Sequence, residues 1–221
     1  MRLILLGPPG AGKGTQAELL CDKFNLVHIS TGDILRDEVV DGSQLGQQVA
    51  KFLQSGELVP DDVVVAVVMK RLAKPDTQKG FILDGFPRTL PQAEALNAGL
   101  EKLNLPIELV IYFKTKPEVS LMRLGGRRVC NKCNVNFHLV NRPPKKDNIC
   151  DFCGGTLNIR QDDQEATVKK RLNIYQNQTH GLIEYYKKTG KLKEVSGDLP
   201  AEQVLVQLTE IFSRENLIAS R

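Results

Sequence analysis

The sequence lacks tryptophan, and aromatic residues make up only 5% of its 221 residues. Any core must therefore be mainly aliphatic. Long apolar runs are missing too: the longest run near the start, residues 3–6, falls far short of the roughly 18 residues that a membrane-spanning helix needs. The same run is too short for the hydrophobic part of a signal peptide, so we expect a mature, cytoplasmic chain with no membrane partner.

Internal repeats and low-complexity tracts are also absent, and 41% hydrophobic with 25% charged residues is the composition of an ordinary globular protein. This excludes disordered, collagen-like and coiled-coil chains. The net charge is only +4, but residues 122–163 contain eight basic and four acidic residues while the remainder contains 22 of each. A local basic excess favours an anionic ligand. No apolar face demands a partner, and we expect a monomer.

Short apolar runs alternate with segments of helical periodicity; the runs cover residues 2–6, 27–29, 81–84, 108–113 and 192–195. This alternation predicts crossover connections and a mostly parallel sheet, hence an α/β fold. Between residues 125 and 159 the chain is rich in Cys, Asn, Pro and Lys and has no long apolar run. We interpret this stretch as a small inserted subdomain. A helical pattern then covers residues 162–188.

The segment from Gly7 to Lys13 reads G-x-x-x-x-G-K and lies between the first strand and the first helix. Glycines let the backbone turn its N–H groups inward, while the helix N-terminus and the lysine add positive charge. This arrangement is typical of a loop that binds the β- and γ-phosphates of a nucleotide. Gly14 stands where such loops usually carry Ser or Thr, and the hydroxyl comes one residue later at Thr15. We therefore expect Mg²⁺ to be held mainly through phosphate oxygens and water.

Asp84 ends the third apolar run. A carboxylate at the carboxyl end of a central strand lies beside the phosphate loop in this kind of sheet, and its predicted task is to bind waters on Mg²⁺. An alternative interpretation is that Asp84 caps the helix predicted over residues 88–97. Neither interpretation excludes the other.

Four of the five cysteines form two C-x-x-C pairs, Cys130 with Cys133 and Cys150 with Cys153, separated by sixteen residues. This spacing predicts a four-thiolate zinc ribbon, with two disulfides or an iron–sulfur cluster as alternatives. Four protein ligands leave no open position for substrate, so the metal is expected to be structural. Because the segment has few apolar residues, metal binding would supply its folding free energy. The fifth cysteine, Cys21, is expected to be a small buried hydrophobe.

Further motifs follow the phosphate loop in order: Ser30-Thr31-Gly32-Asp33 with Arg36, Asp84-Gly85-Phe86-Pro87-Arg88 with Gln92, Gly126-Arg127-Arg128-Val129, and Arg160-Gln161-Asp162-Asp163 with Arg171. With the phosphate loop and the cysteine pairs, this set resembles the adenylate kinase family in its long form with a metal-bearing lid. The resemblance runs nearly from end to end of the chain. It implies reversible, Mg²⁺-dependent transfer of the ATP γ-phosphoryl group to AMP, giving two ADP.

The resemblance also implies a fold in three parts. The core would be a five-stranded parallel sheet with a P-loop, flanked by helices, comprising residues 1–29, 60–121 and 164–221. A helical insertion at residues 30–59 would bind the nucleoside monophosphate, and a zinc-ribbon-like lid would cover residues 122–163.

Particular residues take roles by the same resemblance. The ATP-binding set would be Gly10, Ala11, Gly12, Lys13, Gly14, Thr15, Arg123 and Arg127, with Arg123 stacked on the base. The AMP-binding set would be Thr31, Arg36, Leu58, Val59, Gly85, Arg88, Gln92, Arg160 and Arg171. The catalytic set would be Lys13, Arg88, Arg127, Arg160 and Arg171, while Asp162 and Asp163 contact arginines. Fixed cations suit this reaction, because the transferring group spreads negative charge over its oxygens.

Other functions stay open at this point. A kinase for UMP or CMP is the nearest alternative, although Thr31, Gln92 and the long lid favour adenine. A nucleotide-gated switch or motor is a different class, but the sequence has no Asn-Lys-x-Asp motif for guanine, and a switch would not need motifs for two nucleotides. A nucleic-acid-binding zinc ribbon would use the basic residues of the insert, but stacking aromatics are scarce there, and we expect no nucleic acid partner. Individually, the arginines could be solvated charges and Thr31 a plain helix cap.

Overall fold

The computed structural model describes residues 1–218, so the last three residues of the segment 164–221 expected in the core lie outside the described residues. Elements within that range are numbered in chain order. The strands are β1 (Arg2–Leu6), β2 (Val27–Ser30), β3 (Phe81–Asp84), β4 (Leu109–Lys114), β5 (Arg127–Cys130), β6 (Asn136–His138), β7 (Leu157–Asn158) and β8 (Leu192–Ser196). The helices are α1 (Lys13–Phe24), α2 (Thr31–Val40), α3 (Gln44–Ser55), α4 (Asp61–Leu72), α5 (Leu90–Leu103), α6 (Pro117–Gly126), α7 (Glu165–Ile174), α8 (Gly181–Lys188) and α9 (Ala201–Arg214).

Five of the strands form one parallel sheet in the order β2-β3-β1-β4-β8, which confirms the predicted α/β fold. The register places Asp84 of β3 opposite both Ser30 of β2 and Leu5 of β1. The carboxyl ends of these three strands therefore meet at one edge of the sheet. The loops that leave this edge begin side by side, and they carry the sequence motifs.

Apolar clusters cover both faces of the sheet. Alternate residues of β1 point to opposite faces, so that Ile4 joins one cluster while Leu3 and Leu5 join the other. The first cluster is closed by α4, α5 and α8, and the second by α1 and α9. Most of the buried side chains are Leu, Ile, Val and Ala, as the scarcity of aromatic residues predicted.

Helices α2 and α3 form a small pair between β2 and α4. Ser30 caps α2 by accepting the Asp33 N–H at 3.3 Å, so the interpretation of Thr31 as the cap is wrong. Gly46 allows the two helices to touch, because a Cβ there would lie 2.0 Å from the carbonyl oxygen of Glu38. The pair is therefore closely packed and stands on the edge of the sheet where β2 ends.

The insert is a separate antiparallel sheet in the order β6-β5-β7, with a small apolar cluster of its own. It leaves the core at the end of α6 and returns through a 3₁₀ turn, Gln161–Asp163. The single helical pattern expected over residues 162–188 is wrong in one respect: a π turn, Tyr175–Thr179, separates α7 from α8. No helix within residues 1–218 has the length and apolar character needed to span a membrane.

Candidate active site

The phosphate loop connects β1 to α1 and depends on its glycines. Gly10 has φ 81°, and a Cβ there would lie 2.7 Å from the carbonyl oxygen of Ser120. Gly12 has φ 89° and ends the loop at the N-terminus of α1. A side chain would be strained at both positions because φ is left-handed, and at Gly10 it would also clash with Ser120. The predicted nucleotide-binding loop is thus present in its strand–loop–helix setting.

Lys13 folds back over this loop. Its Nζ donates to the carbonyl oxygens of Gly7 at 2.8 Å and Pro8 at 2.9 Å. Burial lowers the pKa of Lys13 to about 8, and the carboxylate of Asp84 opposes this shift while neighbouring arginines add to it. The ammonium group is thus held in a position where an anionic ligand would restore its full charge.

Asp84 lies beside the first turn of α1. A Cβ on Gly14 would come within 3.3 Å of Asp84 Oδ2, so glycine at this position leaves room for the carboxylate. Behind it, His28 Nε2 lies 3.5 Å from the same oxygen. Burial alone would raise the pKa of Asp84, but His28 and Lys13 outweigh this and lower it. Thr89, not Asp84, caps the following helix, so the capping interpretation of Asp84 is wrong.

Two arginines share carboxylates at the base of the insert. Arg127 donates to Asp163 through Nε at 2.6 Å and Nη2 at 2.5 Å. Arg171 Nη1 lies 3.0 Å from Asp163 Oδ1 and 3.1 Å from Asp162 Oδ2. The Asp163 side chain is fully buried and holds the two guanidinium groups together. The predicted contact of Asp162 and Asp163 with arginines is present.

A second cluster joins α2 to the segment by which the insert returns to the core. Arg36 Nη2 donates to Asp33 Oδ1 at 2.5 Å, and Arg160 Nη2 lies 3.5 Å from the same oxygen. Burial would raise the pKa of Asp33, but Arg36 outweighs it and lowers that pKa. Arg160 also donates to Asn136 Oδ1 at 3.3 Å. Arg36 and Arg160 thus face one another across a single carboxylate.

The charged side chains at this edge of the sheet sum to an excess of two positive charges. The cations are Lys13, Arg36, Arg88, Arg127, Arg160 and Arg171, and the carboxylates are Asp33, Asp84, Asp162 and Asp163. Burial and the nearby Arg171 lower the pKa of Arg88. A set of buried like charges with too few counter-ions has a high affinity for polyanions.

The loop after β3 joins the loop after β2 through backbone carbonyls. Thr31 Oγ1 donates to the carbonyl oxygen of Gly85 at 2.9 Å, and Arg88 Nε donates to the same oxygen at 2.7 Å. The Thr31 and Gln92 side chains are both buried. The structure therefore brings together four residues of the predicted AMP-binding set. Thr31 lies on α2, Gly85 and Arg88 lie in the loop after β3, and Gln92 lies on α5.

The remaining predicted residues lie around this centre. Leu58 and Val59 form the link between α3 and α4, with Val59 buried. Arg123 Nη2 donates to the carbonyl oxygen of Leu199 at 3.1 Å, and Nη1 lies beside Gly12. Thr15 is exposed in the first turn of α1.

The insert touches both other parts of the molecule through polar pairs. Asn134 Nδ2 donates to Asp37 Oδ1 on α2 at 3.3 Å, and Arg142 Nη1 lies 3.5 Å from Glu18 Oε2 on α1. The Arg160–Asp33 pair and the hydrogen bond from Asn136 Nδ2 to Glu18 Oε1 are further contacts of this kind. These pairs bring the insert against α1 and α2 beside the arginine-rich edge of the sheet.

The four paired cysteines come together at one end of the insert. Their Sγ atoms all lie within 4.8 Å of one another, and the shortest pair, Cys130 with Cys153, is 3.4 Å apart. The four thiols are free, so the two-disulfide alternative is wrong. Tetrahedral zinc with Zn–S bonds of about 2.3 Å spans thiolates about 3.8 Å apart, which fits this donor set. Cys21 stands alone on α1, half-buried.

Sequence reasoning missed three supporting contacts. His28 faces Asp84, and its position on β2, beside β3, was the available signal. In the sequence, Asp61 is one of two acidic residues in the first turn of α4, which is common at helix starts. In the structure, its carboxylate accepts hydrogen bonds from the side chains of Thr89 and Gln92. The carbonyl groups of residues 197–199, which bind Arg123, carry no side-chain signal.

Cationic side chains gather beside the phosphate loop from the loop after β3, from α2, from α7 and from the base of the insert. Such an arrangement stabilises a phosphoryl group that moves between two anions, and it needs no side-chain nucleophile. The fold and the site thus define a class, the P-loop phosphotransferases that act on nucleotides.

Comparison with known proteins narrows this class. The family model for adenylate kinase matches residues 5–191. An adenylate kinase of Caldicellulosiruptor bescii is 53% identical over 192 residues, which are 87% of this chain and 89% of the relative. One from Archaeoglobus fulgidus is 48% identical over 97% of this chain and 99% of the relative, and one from Clostridium botulinum is 46% identical over 97% and 100%. The chain belongs to the adenylate kinase family and is a phosphotransferase that uses Mg²⁺ and nucleotides.

Proposed function

We propose that this site transfers the γ-phosphoryl group of Mg·ATP reversibly to AMP, giving two ADP, and so maintains the balance of adenine nucleotides. The observation that carries the proposal is the ring of partly buried cations at the carboxyl edge of the sheet, where Lys13 lies within electrostatic reach of Arg88, Arg127 and Arg171. Two polyphosphates repel one another, and a ring with excess positive charge lowers the cost of bringing them into line.

On this proposal, ATP occupies the phosphate loop. The N–H groups of residues 10–15 and the ammonium group of Lys13 bind its phosphates, because the loop ends at a helix N-terminus. Arg127 reaches the transferring group from the insert. Arg123, which lies beside Gly12, packs against the base. These contacts hold the donor while charge develops on the transferring oxygens.

AMP occupies the neighbouring site between α2 and the loop after β3. Arg36 and Arg88 bind its phosphate, and Arg160 and Arg171 lie between the two nucleotides. Thr31, Gln92, Gly85 and the backbone of residues 58–59 surround the adenine. The contacts of Thr31 and Arg88 with the same carbonyl oxygen support this assignment, because they fix two AMP-site residues to one loop.

Mg²⁺ would be held through water by Asp84. The buried carboxylate beside Lys13 and Gly14 fits a hard cation that keeps several waters, and it lies next to the phosphate loop. When bound, the ion neutralises charge on the phosphates. Lys13 and the arginines supply the remaining positive charge.

Zn²⁺ would be held by Cys130, Cys133, Cys150 and Cys153. Four thiolates are a soft donor set with no open position, so the ion would stabilise the insert without joining the reaction. Thiol ligands also suit a reducing compartment such as the cytoplasm.

We further propose that residues 122–163 act as a lid, residues 30–59 as the AMP-binding part and the remainder as a core, in a monomer. Closure of both parts excludes water, which would otherwise accept the phosphoryl group. The contacts of the insert with α2 and α1 support closure, because they are polar and long and therefore easily broken to admit substrate.

A nucleotide panel tests the proposal. Each donor is offered AMP, CMP, UMP and GMP, and product formation is measured with the intact protein. Turnover of ATP with AMP at least about a hundredfold above the other acceptors is expected, since a site that hydrogen-bonds one base rejects the others strongly. Preference for UMP or CMP would contradict the adenine assignment, and ATP hydrolysis without acceptor would contradict phosphoryl transfer.

A further inference from the structure

A closed set of hydrogen bonds surrounds the amide of Gln92. Its Oε1 accepts the backbone N–H of Arg88 at 2.7 Å, and its Nε2 donates to Asp61 Oδ1 at 2.7 Å. The second oxygen of Asp61 accepts the hydroxyl of Thr89 at 2.9 Å, and Thr89 Oγ1 accepts the backbone N–H of Gln92 at 3.3 Å. Gln92 is only 1% exposed, so these bonds have little competition from water.

These neighbours allow only one orientation of the amide. A backbone N–H can only donate and a carboxylate can only accept. A reversed Gln92 would turn its NH₂ group toward the N–H of Arg88 and its oxygen toward Asp61, so that two bonds would become two repulsive contacts. In the observed orientation the amide keeps one N–H and one oxygen lone pair for a ligand.

We propose that Asp61 is a positioning residue for base specificity: it fixes the Gln92 amide in the order of donor and acceptor that matches adenine. Adenine presents an acceptor at N1 and a donor at N6, whereas hypoxanthine presents a donor at N1 and an acceptor at O6. An amide that cannot reverse binds one of these edges and leaves unpaired groups against the other. This inference rests on the proposed function, in which Gln92 faces the base of AMP.

Asp61 has a second, purely structural effect that must be separated from this one. It lies in the first turn of α4 together with Asp62, and negative charge there stabilises the helix. Asp62 is exposed, so Asp62→Ala removes the same charge from the same turn and serves as the matched control.

The experiment measures kcat and KM for AMP and for IMP at saturating Mg·ATP, with IMP also followed as a competitor of AMP. In Asp61→Ala the ratio of kcat/KM for AMP over IMP should fall about tenfold, mostly through a higher KM for AMP, with kcat within about threefold of the parent. Asp61→Asn keeps an oxygen that accepts from Nε2 and should retain most of the selectivity. Asp62→Ala should keep the parent ratio.

The inference is overturned if folded Asp61→Ala keeps the parent ratio of kcat/KM for AMP over IMP. This includes the case in which activity falls equally with both acceptors. If Asp61→Ala does not fold, Asp61→Ser is used in its place. The serine side chain is one bond shorter than that of aspartate, so its hydroxyl does not reach Nε2 of Gln92. Failure of the unsubstituted protein to phosphorylate AMP would contradict the proposed function instead. AMP activity together with an unchanged ratio would contradict only the positioning role of Asp61.

Discussion

The edge of the parallel sheet and the inserted subdomain both carry functional cations, but they owe their folds to different forces. The sheet has large apolar clusters on both faces, and residues of β1 and β3 are almost wholly buried. The apolar cluster of the insert has four buried residues, and two of them are cysteines of the proposed zinc site. Burial of apolar side chains is the main stabilising term for the first region, whereas on our proposal the second region depends on the metal held by its thiolates.

The two regions also differ in the length of their polar contacts. Lys13 is fixed to the phosphate loop by bonds of 2.8 and 2.9 Å, while the insert meets α1 and α2 through pairs of 3.3 to 3.5 Å. The comparison teaches that Lys13 is held by shorter hydrogen bonds than the pairs that join the insert to α1 and α2, as expected if the proposed lid moves. Substitutions in the two regions should therefore fail in different ways.

The largest effect is expected for Lys13→Ala. Loss of the ammonium group at the phosphate loop should lower kcat about a thousandfold, because a charge aimed at the transferring group is removed from a buried site. A coupled assay of ADP formation measures this. Lys23→Ala on the same helix is the control, since Lys23 is exposed and donates only to Thr209. Near-normal turnover in folded Lys13→Ala would contradict the role of the loop.

Arg88→Ala should affect one nucleotide only. We expect kcat/KM for AMP to fall about a hundredfold, since a buried charged contact to phosphate is lost, with the Kd for ATP changed by less than about threefold. Calorimetry with each nucleotide separates the two, and Arg214→Ala on α9 serves as the control. Equal weakening of both nucleotides would show that Arg88 does not distinguish the two sites.

Loss of the metal should separate stability from chemistry. Cys133→Ser or chelation should lower the Tm by about 5–10 °C, because the insert has too small an apolar cluster to fold alone. At low temperature kcat should stay within about threefold. Metal content, thermal unfolding and turnover are measured on the same samples, with Cys21→Ala as the control. Abolished phosphoryl transfer in a protein that keeps its fold would indicate a catalytic metal.

The smallest expected effect is the uptake of a proton when ATP binds. Burial lowers the pKa of Lys13 to about 8, and bound phosphates should raise it again. Above about pH 8 the free protein carries a neutral Lys13 and the complex a charged one, so ATP binding takes up a proton; below about pH 7 the lysine is charged in both states and uptake disappears. Calorimetry in buffers of different protonation enthalpy should give about 0.8 proton near pH 9. Lys13→Ala should abolish this proton uptake. If proton uptake persists in Lys13→Ala, a group other than Lys13 takes up the proton.

Much of the sheet and the loop could be predicted, because apolar runs and the glycine-lysine motif are local signals. The strand bounds differ from prediction by about a residue, and Asp84 lies beside the loop as the parallel register requires. The contact of Asp61 with Gln92 spans 31 residues and depends on how α4 packs against α5, which periodicity does not encode. The π turn after α7 was also missed; two of its residues, Tyr175 and Thr179, are buried in the fold.

The most direct measurement is a structure of the protein with a dinucleotide in which a phosphate chain joins two adenosines. The account predicts that Lys13, Arg88, Arg127 and Arg171 surround the chain, and that Arg127 and Arg171 exchange part of their contact with Asp163 for phosphate oxygens. One adenosine should lie beside Arg123 and the other beside Gln92. A phosphate chain bound elsewhere, with these side chains directed into solvent, would contradict the account.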